Sequence, residues 1–373
     1  MPRTIPKIAI IGGGASAALL LANLGDSCAV DVYDRAGRFA RGIAYSTRRL
    51  CHLLNVRASN MSALADDKDH FARWAAGHGY APADFVPRKL YGDYLETFWG
   101  EAANRIQADV ESCEAVPGGY KVAGKVYDYA VLAAGNVRPL SPVIKGKPGH
   151  YYPDPWAIPD SLKTAQSVAL IGSGLTAVDA VLSLLDIDFS GRITIFSRHG
   201  LLPKVHAAPQ VWDLQGMQPG LSPAAAIRVF RGNLRNAAAQ DIGWQAVLDS
   251  IRPLTNDIWQ GWNARQRASF QRHLYTIWGV HRHRMAPEIS ARIAGADINF
   301  VQARVEEISD QGIAGYSFDA IINCMGYRYD EPGRDYQVSH RIGPARFGEL
   351  FETTAIPEIR TQANAIAKSI LSA

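Results

Sequence analysis

The chain has 373 residues, 47% hydrophobic and 20% charged, an ordinary globular composition that is long enough for two domains with cores of their own. Its formal net charge is +4 and no Lys/Arg run makes a nucleic-acid arm, so phosphate-bearing cofactors account for the mild excess better than nucleic acid does. No apolar segment reaches the roughly 18 residues of a membrane helix, and Met1-Pro2-Arg3-Thr4 leads into a strand with no signal peptide, so a cytoplasmic protein with no membrane partner is expected.

In chain order the first element is Lys7-Ile8-Ala9-Ile10-Ile11, a short apolar β-run. Gly12-Gly13-Gly14-Ala15-Ser16-Ala17 follows as a Gly-x-Gly-x-x-Ala turn, then a helix-forming run through Leu24, then Ala29-Val30-Asp31-Val32-Tyr33-Asp34. Strand, glycine turn, helix, strand and terminal acid are the parts of a dinucleotide-binding βαβ unit. Gly12 permits the tight turn, and Gly14 has no Cβ to block a pyrophosphate approaching the free N–H groups of the helix. Ser16, within the turn, is a candidate cofactor contact, and Ala17 lets helix and strand pack closely. Asp34 can accept both hydroxyl hydrogens of an adenosine ribose, which favours FAD or NAD over a 2′-phosphorylated cofactor.

After Asp34, Arg38–Ser46, His52–Val56 and Asn60–Ala63 show neither a period of 2 nor one of 3.6. Rich in Gly, Asn, Ser and Arg, they read as loops over a ligand, and Tyr45 and Asn55 become candidate cofactor contacts. Amphipathic helices are expected from Asp66 through Trp74 and from Tyr91 to Asn104. Val126–Asn136 reads as a buried strand ending in small residues, with Gly135 close to the cofactor. Pro139, Pro142, Pro148, Pro153 and Pro155 punctuate a linker, which puts a first domain at 1–157.

The opening unit then repeats. Ser167–Ile171 is a strand, Gly172-Ser173-Gly174-Leu175-Thr176-Ala177 the turn, Val178–Leu185 the helix and Ile193–Phe196 the next strand. Gly172, Gly174 and Thr176 take the roles of the first turn. Two such units in one chain imply two nucleotides. This time the strand ends in Ser197-Arg198-His199, and an Arg in that place suits a 2′-phosphate, hence NADPH.

The second domain is expected at 158–325, interrupted by a helical insertion at about 205–293, which is too long for a connection. The segment 326–373 returns to the first domain. Within the insertion His281 and His283 are two apart and would point away from each other on a helix, so no metal set forms; His281 is a candidate substrate contact, as is Trp156. The four cysteines, Cys28, Cys51, Cys113 and Cys324, form no Cys-x-x-Cys pair, which argues against a disulfide framework, a zinc site and a redox dithiol. Near the end, Thr353 and Thr354 precede a helix with Pro357 and Glu358 in its first turn, a start suited to the negative charge of a reduced flavin.

Taken together, Gly42-Ile43-Ala44-Tyr45, His52–Val56, Pro87–Gly92, Asp154-Pro155-Trp156, Gly174–Asp179, Ser197–Pro203, Trp278 with His281–Pro287, and Glu352–Arg360 resemble the bacterial FAD/NAD(P)-binding protein family, related to class B flavin monooxygenases and N-hydroxylases. The resemblance runs through nearly the whole chain. It implies the cofactor architecture, an α/β flavoprotein of two Rossmann-like domains with FAD and NADPH; the reaction expected of such a chain is that of a monooxygenase, with hydride transfer from NADPH to FAD and then, through a flavin hydroperoxide, insertion of one oxygen atom of molecular oxygen into a small-molecule substrate. Asn55 is the expected polar contact near the reacting flavin. A reductase serving a quinone or protein partner, and a non-catalytic nucleotide-binding accessory protein, are the alternatives. Two departures from the family pattern stand out: the chain is short between Gly326 and Gly343, and Pro344 stands where more distant flavoproteins place an Asp that binds the ribityl-pyrophosphate.

Overall fold

The structure, a computed structural model, describes residues 5–136, 138–146, 148, 150–328 and 334–372. The expectation for Met1–Thr4, and residues 329–333 of the shortened segment, lie outside the described residues. The chain divides into two compact units. One comprises Met1–Arg138, Tyr327–Gly348 and Glu352–Ala373, the other Pro139–Gly326 and Glu349–Phe351.

The first unit starts with β1 (Lys7–Ile11), α1 (Ala15–Leu24) and β2 (Ala29–Tyr33), and continues with β3 (Ala103–Ile106) and β4 (Tyr129–Leu132). These strands and His340–Arg341 form a parallel sheet in the order His340–Arg341, β4, β1, β2, β3. The central place of β1 explains its sequence: Ile8, Ala9 and Ile10 are buried on both faces, so the strand is continuously apolar rather than alternating. Helix α1 is likewise nearly all Ala and Leu, and its Leu20 and Leu24 share a core with Ile359, Ala363, Ile366 and Ile370 of the C-terminal helix Ile356–Ser372.

Two local expectations give way to long-range pairing here. The helix expected over Tyr91–Asn104 is shorter, Arg88–Glu96, and Ala103–Ile106 is strand β3. Unpaired N–H and C=O groups on β2 need partners, and Val30 to Tyr33 find them in Ala103 to Ile106. The strand expected over Val126–Asn136 is broken at Asp128, whose carboxylate accepts the Lys7 N–H at 2.7 Å. Before that break, Lys125–Tyr127 closes an antiparallel meander with Ser112–Val116 and Gly119–Val122, which turns on the positive-φ residues Gly118 and Gly124.

The second unit repeats the plan with β5 (Ser167–Ile171), α2 (Leu175–Asp186) and β6 (Arg192–Ser197). Six helices follow: α3 (Pro223–Ala238), α4 (Trp244–Ile251), α5 (Thr255–Gln260), α6 (Ala264–His273), α7 (Tyr275–Arg282) and α8 (Pro287–Ile293). The sheet resumes with β7 (Ile298–Gln302) and β8 (Ala320–Asn323), in the parallel order Tyr151–Tyr152, β8, β5, β6, β7. The proline-rich stretch after Arg138 thus supplies a strand to the second sheet, although its composition alone reads as a linker on the first domain. The fold class is α/β with two Rossmann-like units, the second carrying a helical insertion. The insertion has its own core, in which Met217, Leu248, Ile258, Trp259 and Trp262 are buried together.

Candidate nucleotide-binding sites

In the first unit the chain turns from β1 into α1 through Gly12, whose φ is +103°. A Cβ there would lie 2.4 Å from the Ala133 carbonyl oxygen, so the residues that follow β4 press directly on the turn. Gly14 caps α1 without any side-chain bond, and the first turn carries no acid. A Cβ on Gly14 would meet Gly42 Cα at 3.2 Å. Two glycines, one in the turn and one starting the short helix Gly42–Tyr45, therefore keep the approach to the α1 N-terminus narrow and free of side chains.

Asp34 closes β2 as expected, but its carboxylate is already engaged. It accepts the N–H groups of Gly13 at 3.0 Å, Ala36 at 3.0 Å and Arg38 at 3.1 Å. About four lone-pair sites are available on a carboxylate, so acceptor capacity remains for a hydroxyl. The same residue ties the glycine turn to the chain leaving β2.

Ser16 and Ala17 are buried, at 5% and 0% exposure, and Gly343 comes down on Ser16 so closely that a Cβ on it would lie 2.5 Å from the hydroxyl. The Gly343 N–H donates at 2.9 Å to Oε1 of Gln362, on the C-terminal helix. Gln362 Nε2 is then left buried with no partner, as is Asn136 Oδ1 beside Gly135. Native proteins seldom orphan buried polar atoms, so a donor and an acceptor in wait fit a polar ligand. Gly135 itself has φ +65° and open space where a Cβ would stand. Gln362 is a residue that sequence reasoning missed. The signal was present: it is a polar residue on the apolar stripe marked by Ile359, Ala363 and Ile366.

Tyr45 and Asn55 are both half-buried in this unit. Burial pushes the Tyr45 phenol up to about 12, and its ring lies 4.8 Å from that of Tyr91. Asn55 follows a segment pinned by Leu54 N–H to the Val86 carbonyl at 2.8 Å and by Arg88 Nε to the Leu53 carbonyl at 3.1 Å. Thr353 is buried and Thr354 exposed, just ahead of the helix that starts at Ile356. Pro344 sits buried in a short 3-10 turn after Gly343, where it offers no carboxylate.

The turn of the second unit repeats these features. Gly172 has φ +107° and its Cβ would lie 2.3 Å from the Cys324 carbonyl oxygen, whereas Gly174 caps α2 at φ −78° with nothing within 4 Å of a Cβ. Thr176 is half-buried in the first turn of α2. Ser173 Oγ donates to the Leu201 carbonyl at 2.6 Å and accepts from Ser197 Oγ at 2.8 Å, so the glycine turn holds the loop that carries Arg198. The Arg198 guanidinium is exposed and has no ion-pair partner among the described residues. A cation held on a fixed backbone at the end of the second strand is a ready partner for phosphate.

The two substrate candidates are not brought together. Trp156 is half-buried, its backbone N–H donating to Asp154 Oδ1 at 3.0 Å. His281 lines a cavity inside the helical insertion, to which Trp156 contributes nothing.

Residues 9–137 match the family model described as FAD-NAD(P)-binding. Among curated proteins none matches the chain. Solved structures match it over most of its length: the ornithine hydroxylase from Pseudomonas aeruginosa at 14% identity and a TM-score of 0.63, with 99% of each chain covered; the ornithine N-hydroxylase of Kutzneria sp. 744 with reduced FAD, NADP+ and L-ornithine at 14% and 0.56, again with 99% of each chain; and OTEMO in complex with FAD and NADP at 14% and 0.58, with 99% of this chain and 85% of that one. At such identities the likeness is one of fold alone.

Proposed function

We propose that this chain is an NADPH-dependent FAD oxidoreductase, and within that class a monooxygenase of a small molecule. The observation that carries the reading is the pair of glycine turns, one closed by the acid Asp34 and the other by the exposed cation Arg198. An acid at the ribose end selects a free hydroxyl pair and a cation selects a phosphate, so the two turns take different nucleotides. The family model over residues 9–137 supports FAD for the first, and the likeness to OTEMO and the ornithine hydroxylases supports the NADPH and oxygen chemistry.

Each residue then has a task. Gly12, Gly14 and Ala17 shape the turn that receives the FAD pyrophosphate, Ser16 and Gln362 Nε2 offer it donors, and Asp34 holds the ribose. Gly135 would let the protein backbone approach the cofactor, while Tyr45 and Asn55 would supply polar contacts from the loops, Asn55 near the flavin. Thr353 and Thr354 lead into a helix start that favours negative charge on the ring. Gly172, Gly174 and Thr176 receive the NADPH pyrophosphate, and Arg198 its 2′-phosphate. When bound, FAD supplies the hydride acceptor and the site of oxygen reduction, chemistry that belongs to the cofactor. His281 is the proposed contact for the substrate; Trp156, the other candidate, stands outside the cavity that His281 lines.

The test uses purified protein. It should carry FAD, lose its yellow colour with NADPH faster than with NADH in the absence of air, and recover it on admission of oxygen. Protein that neither carries nor takes up FAD would overturn the reading. NADPH oxidation driven far faster by a quinone than by oxygen would replace the monooxygenase with a reductase.

A further inference from the structure

The helical insertion encloses a cavity of about 440 Å³, bounded by α3 to α7 and by Phe351. Its walls include Leu248, Ile258, Trp259, Phe270 and Trp278. Side chains of this kind normally meet in the middle of a helical core at close-packed density. Here they surround a space within the roughly 300–1,000 Å³ range of small-molecule pockets. An open-sided cavity with such walls leaves apolar surface in contact with water, and an apolar ligand that covers it is favoured by the hydrophobic effect.

Its polar groups narrow the occupant. The Thr255 hydroxyl is committed to the Arg252 carbonyl at 2.7 Å, and Trp262 Nε1 donates to the Leu221 carbonyl at 2.7 Å. His281 Nδ1 lies 2.7 Å from the Ile277 carbonyl oxygen. A carbonyl can only accept, so Nδ1 carries the hydrogen, and a neutral imidazole then presents Nε2 as an acceptor. That nitrogen has no partner among the described residues. Trp244, edge-on at 5.0 Å, fixes the ring plane. Arg231 is exposed and lines the cavity, so it sits at the open side and disfavours a cationic ligand.

We infer that the insertion binds one uncharged aromatic or alicyclic molecule whose hydroxyl donates to His281 Nε2. That this ligand is the substrate rests on the flavoprotein reading above; that the cavity binds it does not, because the walls belong to the second unit alone.

The experiment titrates full-length protein with N-phenyl-1-naphthylamine, a neutral probe read by energy transfer from the lining tryptophans Trp244, Trp259, Trp262 and Trp278. Saturable binding of one probe per chain is expected. 1-Naphthol should displace it better than naphthalene by about three- to tenfold, the worth of one net hydrogen bond, and His281→Ala should abolish that preference while naphthalene competes as before. Leu234→Trp, on a half-buried wall position, should weaken the probe on the order of tenfold or more with an unchanged circular dichroism spectrum. No saturable binding, equal competition by the two naphthalenes, or parental affinity in a folded Leu234→Trp protein would each overturn the inference. Should Leu234→Trp fail to fold, Ile277→Trp, at a wall position 49% exposed, puts bulk at the open side and is judged by the same loss.

Discussion

Gly172 and Gly174 stand two residues apart in one turn, and the structure assigns them opposite reasons for being glycine. At Gly172, φ is +107° and a methyl group would lie 2.3 Å from the Cys324 carbonyl oxygen. Gly172→Ala therefore combines a disfavoured backbone, about 1–3 kcal/mol, with a clash against main chain, and should cost on the order of 3 kcal/mol of stability. At Gly174, φ is −78° and no atom lies within 4 Å of an added methyl group. Ala is a poorer helix cap than Gly, which costs about 0.5–1 kcal/mol, but it loses less chain entropy on folding, about 0.4–1 kcal/mol in return. Gly174→Ala should leave the melting temperature nearly unchanged. Its methyl group would instead fill the space through which a pyrophosphate reaches the α2 N-terminus, and at least a tenfold loss of NADPH affinity is expected. The assay is a thermal melt with and without NADPH. Ligand at about a hundred times Kd raises stability by about 2.7 kcal/mol, and a tenfold weaker site loses about 1.3 kcal/mol of that, roughly 3–5 °C of melting temperature for a unit of this size. A Gly174→Ala protein that melts like the parent and is stabilised by NADPH as strongly as the parent would refute the reasoning, because the open space would then have no ligand to serve.

Three further outcomes follow from single residues. Arg198→Ala should cut kcat/KM for NADPH about tenfold, the lower end for a charge-assisted bond made by an exposed side chain, and leave NADH nearly untouched; equal losses for both would remove the 2′-phosphate assignment. Asp34→Ala should yield flavin-poor protein that also melts earlier, since three N–H groups lose their acceptor, whereas a variant with full FAD would mean that another residue holds the ribose. Backbone N–H groups of Gln166 and Ser167 hold the Asp319 carboxyl below its ordinary 3.8. A lowered folded value gives stability that is present above 3.8 and is lost as pH falls through the folded value, so the advantage of the parent over Asp319→Asn in melting temperature should be full at neutral pH and shrink below about 3.8.

What the sequence made legible was local. A strand, a glycine turn and a helix are encoded within some 20 residues, and the acid at Asp34 or the base at Arg198 falls where strand length puts it. Strand β3 was not legible, because Ala103–Ile106 becomes a strand only through pairing with β2, some 70 residues earlier in the chain. The three N–H bonds of Asp34 were hidden for a related reason: they depend on how the glycine turn after β1 and the chain curling after β2 meet the carboxylate rather than on which residue ends the strand. Gln362 could have been noticed as a polar interruption of an apolar helical stripe, but its partner Gly343 lies 19 residues away, across a turn that periodicity does not describe.

The division of the first unit among three stretches of chain bears on how the protein is made. During synthesis, at about 5–20 residues per second, β1, α1 and β2 emerge early. The edge strand His340–Arg341 and the helix Ile356–Ser372, whose isoleucines share a core with Leu20 and Leu24, come last. The second unit, contiguous except for Glu349–Phe351, can mature first. The nascent first sheet therefore waits with the apolar face of α1 uncovered until the second unit has been translated, which makes the 17-residue helix Ile356–Ser372 the step that commits the first unit to its fold.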